Sequence, residues 1–151
     1  MSTRKVATSP DGYSLTAVAD RPDSRDFYYR PALEQIAPSL KPDTANIVVL
    51  DQEKEGACTG FGLTAVINLL NARRGSDVRV SARMLYNMAQ KFDRWPGEEY
   101  SGSSCRGAIR GWASMGVCSD HMWRYRSGDT SSLTVERAKD ARNNTIGAYY
   151  R

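Results

Sequence analysis

The sequence predicts an α+β domain that is mainly helical, and three observations support this prediction. Three stretches with helical apolar spacing, which start near Cys58, Ser81 and Cys105, occupy the middle of the chain. One short β-branched run, residues 47–50, is expected to be a strand or a buried extended segment. The 151 residues, of which 40% are apolar and 25% charged, suffice for one globular domain with a real core.

The start of the chain has a different character from the rest. Residues 1–26 are polar and rich in turn signals, so we interpret them as an irregular lead-in to a domain spanning residues 27–151. Residues 31–37 then fit a short helix that ends at Pro38. No apolar stretch resembles a secretory signal or approaches the roughly 18 residues of a membrane helix. We therefore expect a cytoplasmic protein without a membrane partner.

The first long helix is predicted to begin at Cys58. Its apolar positions recur three and four residues apart: Phe61, Leu63, Ala65, Val66, Ile67, Leu69 and Leu70. A stripe this broad is typical of a helix that is buried on most sides. Arginines at 73 and 74 followed by Gly75 predict its end.

Three further helices are predicted from capping and stop signals. They are a helix capped by Ser81 with Met84, Leu85, Met88 and Ala89 on its apolar face, a helix over Cys105–Met115 stopped by Gly116, and a surface helix over residues 134–143 capped by Thr134. Their order, after a single short extended run, indicates an architecture dominated by helices.

Charge and cysteine content argue against several classes of function. The formal net charge of +4 is spread along the chain, whereas a nucleic-acid partner would favour clustered basic residues. The three cysteines are scattered, so no disulfide framework is predicted, and Cys105 and Cys118 are expected to be packing residues. Cys118-x-x-His121 is only half of the paired spacing of a structural zinc site, so we predict no metal or other cofactor and expect His121 in a partly exposed loop.

The position of Cys58 points to chemistry. A helix N-terminus carries partial positive charge and unpaired N–H groups, which stabilise a thiolate, the nucleophilic form of cysteine. The same groups can hold the oxygen of a carbonyl that the sulfur attacks. Gln52, six residues before Cys58, has a side-chain amide that adds a second donor. The alternative is that Cys58 is a small buried residue, the usual role of a free cysteine.

Residues 49–61 resemble the nucleophile segment of the papain-like cysteine peptidases of the C1 family. Asp51-Gln52, Gly56-Ala57-Cys58 and Phe61 stand where that family has Asp-Gln, Gly-(Ser/Ala)-Cys and Phe. Residues 80–86 are similar to its second helix. Residues 102–108 and 115–125 are similar to the glycine loop, third helix and Gly-Val…Trp-Pro-Tyr segment of bacterial members.

The resemblance implies roles for five residues. Cys58 would be the nucleophile that hydrolyses peptide bonds through an acyl-thioenzyme, and Gln52 the oxyanion-hole donor. The backbone at Gly56 would contact the peptide or protein substrate. Gly102 and Ser103 would lie in the loop that pairs with an extended peptide. Ser103 stands where many members have a second glycine, which crowds that subsite.

The departures from the family are also informative. Glu55 replaces the usual half-cystine, and Thr59 replaces the tryptophan after the nucleophile. The family's histidine base and its orienting asparagine lie roughly 130–150 residues beyond the cysteine, whereas His121 falls in a segment that supplies no catalytic group. We therefore expect the helical lobe of a papain-like fold, truncated before these residues and with its β-barrel lobe largely missing.

This incompleteness leaves several functions open. In the first possibility, the chain is a peptidase that is inactive alone. It then needs a missing C-terminal lobe or a partner to supply the histidine and asparagine. On the second, it is a non-catalytic module that binds peptides in a papain-like groove. A third is a small metal- or thiol-based regulatory protein.

Overall fold

The computed structural model describes residues 7–8, 14–15, 22, 24, 28, 30, 38–39, 41–45, 47–93 and 102–149. Its elements in chain order are β1 (Ala7–Thr8), β2 (Ser14–Leu15), α1 (Cys58–Arg73), α2 (Ala82–Phe92), α3 (Cys105–Met115) and α4 (Val135–Ala141). The two short strands pair antiparallel, with Ala7 opposite Leu15, inside the predicted lead-in. The described part is mainly helical, as predicted. The predicted helix over residues 31–37 lies outside the described residues, and the division at residue 26 stays a prediction.

The core forms around α2. Ser81 caps this helix as predicted, because its hydroxyl accepts a hydrogen bond from the Met84 N–H at 3.0 Å and donates one to the Trp123 carbonyl at 2.5 Å. The four residues predicted for its apolar face are all buried: Met84, Leu85, Met88 and Ala89. A Cβ added at Gly111 in α3 would lie 2.8 Å from the Met88 Cβ, so a glycine allows α3 to approach this closely.

The bounds of α1 agree with the prediction, but its burial does not. Phe61 and Ile67 are buried, whereas Ala65, Val66 and Leu70 are exposed, Val66 by 50%. The prediction of a helix buried on most sides is therefore wrong for the described part of the chain. The reason is that α2 packs against one side of α1 and the described residues leave an apolar stripe uncovered.

Residues 47–50 form neither a strand nor a buried segment, so that prediction is also wrong. Val49 is 93% exposed, and Val48 and Leu50 are exposed as well. β-branched residues favour extended backbone, but a strand also needs a neighbour to accept its hydrogen bonds. No strand among the described residues pairs with this run.

The chain after α3 packs back on the core. Gly116 ends α3 with φ of 73°, and a Cβ there would lie 2.0 Å from the Ala141 carbonyl oxygen, at the end of α4. Cys118 is buried as predicted, and burial raises the pKa of its thiol to about 11. Cys105 is exposed, so its assignment as a packing residue is wrong. The helical pattern places it in α3 but does not say whether another element covers that first turn.

The described residues contain neither a membrane-spanning helix nor a metal-binding cluster. None of the helices is both long and apolar enough to span a bilayer. No group of three or more histidine, cysteine, aspartate or glutamate side chains in this part of the chain is arranged to hold a metal ion. The expected cytoplasmic location stays a prediction.

Candidate active site

Cys58 is exposed at the first turn of α1. Ala57, the cap residue before it, is fully buried and packs with Phe61, Ala82 and Tyr86. Among the described residues no side chain caps α1, and the first turn of this helix contains no acidic residue. Because a cap would occupy the first N–H groups of the helix, its absence leaves them available to an oxygen beside the thiol.

The loop before Cys58 folds back on itself through short-range hydrogen bonds. The Asp51 carboxylate accepts from the Glu53 N–H at 2.7 Å, and Glu53 has φ of 54°, in the left-handed region. The Glu55 carbonyl accepts from the Ala57 N–H at 2.8 Å. The same carbonyl accepts from the Gln52 side-chain amide at 3.1 Å. The loop therefore holds the Gln52 side chain by a backbone atom three residues before the candidate nucleophile.

Gln52 keeps a donor for an incoming group. It is half-buried, and one N–H of its amide is directed at the Glu55 carbonyl. A primary amide has two N–H donors, and among the described residues the second has no acceptor. Gly56, between Glu55 and Ala57, is half-buried and forms part of the same loop.

An ion pair anchors this loop to α2. The Arg83 guanidinium, whose side chain is 2% exposed, donates two parallel hydrogen bonds to the Glu55 carboxylate at 2.8 and 2.7 Å. The Tyr125 hydroxyl lies 2.6 Å from the same carboxylate and 2.9 Å from the Gln52 carbonyl oxygen. The hydrogen bonds from Arg83 lower the pKa of Glu55 despite its partial burial, so this carboxylate is ionised at neutral pH.

The sequence did not identify Arg83 and Tyr125 as residues of the site. They are 28 and 70 residues from Glu55, and nothing local relates them to it. One signal was present. An acidic side chain at the position of the family's half-cystine leaves the loop without a covalent anchor, and a charge partner is the alternative.

Loop 102–104 is tethered to the first turn of α1. The Ser103 and Thr59 hydroxyls hydrogen-bond to each other, so Ser103 lies next to the residue that follows Cys58. Ser104 is held in turn by Asp93, whose carboxylate accepts from the Ser104 N–H at 2.9 Å and from its hydroxyl. The structure therefore brings Ser103 to the same end of α1 as the candidate nucleophile.

Tyr86 connects Gly102 to this end of the molecule. Gly102 has φ of 150°, a conformation that favours glycine. Burial and the charge of Glu55 raise the pKa of Tyr86, while a hydrogen bond with the Gly102 backbone opposes the rise. Tyr86 also packs against the first turn of α1, since a Cβ added at Gly60 would lie 2.8 Å from the Tyr86 Cβ.

His121 lies at a different place. It is exposed, in the loop position expected for it, and close to Asp140 in α4. There its charge adds to the hydrogen bonds from Ser119 that lower the pKa of Asp140. Nothing in the described contacts brings His121 to the loop that carries Cys58.

A cavity of about 540 Å³ is lined in part by both partners of the ion pair, Glu55 and Arg83. Its lining includes Arg83 and Lys91 from α2, and Asp129 and Leu133 from the loop before α4. Cys58 and Gln52 do not line it. The site around Cys58 is therefore separate from this cavity.

Comparison with known proteins adds one finding on the fold. No family model matches the sequence, and no curated protein matches it. Among solved structures, the chain is similar to xylellain, a cysteine protease from Xylella fastidiosa, with a TM-score of 0.72 and 24% identity. The similarity covers 100% of this chain and 61% of that one. The chain therefore has the fold of the corresponding part of a bacterial cysteine protease and spans about three-fifths of its length.

Proposed function

We propose that this chain is the nucleophile-bearing part of a cysteine peptidase. The observation that carries the proposal is the exposed thiol of Cys58 at the uncapped N-terminus of α1, with the Gln52 amide held in the preceding loop. The similarity of the fold to that of a cysteine protease supports it. The site would use these two residues to cleave a peptide bond.

The reaction begins with attack of the Cys58 thiolate on a peptide carbonyl carbon. A carbon–sulfur bond forms, and the π electrons of the carbonyl move to its oxygen. The Cys58 N–H and the second N–H of the Gln52 amide would hold this oxygen, in positions fixed before the reaction. The intermediate then expels the amine, which takes a proton as it leaves, and water releases the acyl group from sulfur.

Within the described part of the chain, no histidine lies near Cys58 to protonate the leaving amine. His121 is the chain's one histidine, and it lies near Asp140. We propose that the histidine and its orienting asparagine come from a further segment or partner. The uncovered apolar stripe of α1, which includes Val66 and Leu70, supports a packing partner at this face. This chain alone is expected to have little peptidase activity.

The substrate is proposed to be a peptide or protein bound in extended form. Gly102 and Ser103 would pair with its backbone, and Gly56 would contact it from the other side of Cys58. The Ser103 hydroxyl is drawn toward Thr59, which directs this side chain to α1. The remote position of His121 favours a second candidate, a module that binds peptides here without cleaving them.

Alkylation of the cysteines tests the proposal within one molecule. Cys105 is a matched control, since it is also exposed and also the first residue of a helix, but Ser104 caps α3 by accepting from the Gly107 N–H at 2.8 Å. At pH 6.5, Cys58 is expected to react with iodoacetamide about ten times faster than Cys105, measured by peptide mapping. Equal rates would mean that the α1 N-terminus does not activate the thiol.

Turnover separates the two candidate functions. A fluorogenic peptide is offered to the chain alone and to the chain with its histidine-bearing segment or partner added. Hydrolysis that appears on addition and is lost in Cys58→Ala supports the peptidase. Binding of the peptide without hydrolysis in either sample supports the non-catalytic module, and hydrolysis that survives Cys58→Ala refutes the assignment of the nucleophile.

A further inference from the structure

A partly buried ion pair fixes the loop that holds Gln52, and this points to a role beyond stability. Arg83 is 1% exposed, and both of its terminal nitrogens donate to the Glu55 carboxylate. Nη2 also donates to the Arg126 carbonyl, and the Tyr125 ring lies 4.5 Å from the guanidinium carbon. A planar guanidinium in a two-point bond with a carboxylate permits one relative orientation, so the Glu55 side chain cannot turn without breaking both bonds.

Two contacts transmit this constraint to Gln52. The Glu55 carbonyl accepts from the Gln52 side-chain amide at 3.1 Å, which orients the amide. The Tyr125 hydroxyl lies 2.9 Å from the Gln52 carbonyl and 2.6 Å from the Glu55 carboxylate, which ties the main chain of Gln52 to the ion pair. Gln52 is therefore held at both its backbone and its side chain by groups that depend on Arg83.

An exposed pair elsewhere in the chain provides the contrast. Asp120 and Arg124 are 3.7 Å apart, and their side chains are 37% and 75% exposed. Such a pair exchanges freely with water and sets no position. The pair between Glu55 and Arg83 differs in that each partner is fixed by further groups.

We infer that Glu55, Arg83 and Tyr125 are positioning residues that aim the free N–H of Gln52 at the substrate oxygen. The inference rests on the proposed function, because it assigns these residues to the oxyanion site of that reaction. The three side chains do not touch the substrate and act through Gln52. A displacement of about 1 Å at such a donor is enough to weaken its action on the oxygen substantially.

A peptide aldehyde reports on this donor without needing a histidine. The Cys58 thiol adds to the aldehyde carbon, a carbon–sulfur bond forms, and the carbonyl oxygen takes the thiol proton, giving a reversible hemithioacetal. Its oxygen occupies the place of the substrate oxygen, so Gln52 affects the affinity. Iodoacetamide tests the sulfur, because the thiolate displaces iodide from a CH2 carbon and no negative charge develops on an oxygen that Gln52 would hold.

Four variants of the 151-residue chain are compared with both reagents: Gln52→Ala, Glu55→Gln, Tyr125→Phe and the control Arg124→Gln. We expect Glu55→Gln and Tyr125→Phe each to weaken hemithioacetal formation about tenfold while changing the alkylation rate less than about twofold. The Arg124→Gln control should change neither. Tyr125→Phe keeps the ring on Phe61, 4.6 Å between centroids, so it retains this packing even if Glu55→Gln unfolds.

Combination with Gln52→Ala decides the mechanism. If the ion pair acts through Gln52, then adding Tyr125→Phe to Gln52→Ala gives no further loss of aldehyde affinity. An equal loss in both backgrounds, or a parallel loss of alkylation, indicates a purely structural role and overturns the inference. If Gln52→Ala weakens binding but Tyr125→Phe and Glu55→Gln do not, the inference fails and the proposed function stands. If the wild-type chain forms no hemithioacetal, or Gln52→Ala has no effect on it, both fail.

Discussion

Replacement of Gly60 by alanine is expected to separate α1 from α2. An added Cβ would lie 2.8 Å from both the Cβ and the backbone nitrogen of Tyr86. Neither atom can rotate away, and carbon atoms in ordinary contact are about 3.5–4.0 Å apart, so the helices would have to separate by about 1 Å. Overpacking of this kind costs about 1–3 kcal/mol, and the better helix propensity of alanine returns about 1 kcal/mol. We expect a net loss of about 0–2 kcal/mol in the free energy of unfolding.

Gly62 provides a control in the same helix. It is exposed, and nothing lies within 4 Å of an added Cβ, so Gly62→Ala should gain about 0.5–1 kcal/mol from helix propensity alone. Urea unfolding of both variants is measured at a common pH and followed by the helical signal in circular dichroism. If Gly60→Ala is as stable as Gly62→Ala, then the close approach of α1 to α2 is not what the glycine is needed for.

Two further predictions concern acid stability and the end of α3. Arg83 holds the pKa of Glu55 below its ordinary value of 4.5, so this carboxylate contributes stability above that pH and loses it as the pH falls through the lowered pKa. In urea unfolding between neutral pH and about pH 3, Glu55→Gln should therefore be less stable at neutral pH and decline less steeply in acid than Arg124→Gln, and parallel profiles would contradict this. Gly116→Ala should cost about 2–4 kcal/mol, because φ is 73° and the new Cβ would lie 2.0 Å from a backbone oxygen of α4. Gly128→Ala, also at φ of 73° but in open space, should cost only about 1–2 kcal/mol, and equal losses in thermal unfolding would contradict the clash.

Helix ends were predictable because the signals that set them are local. Ser81 and Thr134 cap α2 and α4 through hydrogen bonds to an N–H three residues away, and Gly116 ends α3 in a conformation that suits glycine. These interactions involve neighbours in the chain, so a single sequence contains them. The bounds of the helices followed from them with little adjustment.

Burial was less predictable because it depends on what lies opposite a residue. The apolar period in α1 correctly indicates that Val66 belongs to an apolar row, and Val49 belongs to an apolar run. Neither pattern says whether another part of the chain covers that row, and the described residues cover neither. Cys105 shows the same limit, since its helix was predicted and its exposure was not.

The candidate site also contains both local and long-range relations between residues. Cys58 and Gln52 could be proposed from the sequence because both belong to one segment, six residues apart. The partners of Glu55 come from α2 and from the chain after α3, and a single sequence does not pair residues at such separations. The physical need for a partner was visible, but its identity required the structure.

The contacts around Cys58 bear on whether it is a packing residue or a nucleophile. A packing cysteine is held by apolar neighbours that surround its sulfur, as Cys118 is. Around Cys58 the sulfur is exposed, yet the residues beside it are fixed from three directions: Gly60 against α2, Thr59 against Ser103, and Glu55 against Arg83. Fixing the residues around an exposed thiol does not bury the thiol itself. The proposed attack of Cys58 on a bound carbonyl would need such fixed surroundings, so these contacts agree with the proposed role of Cys58.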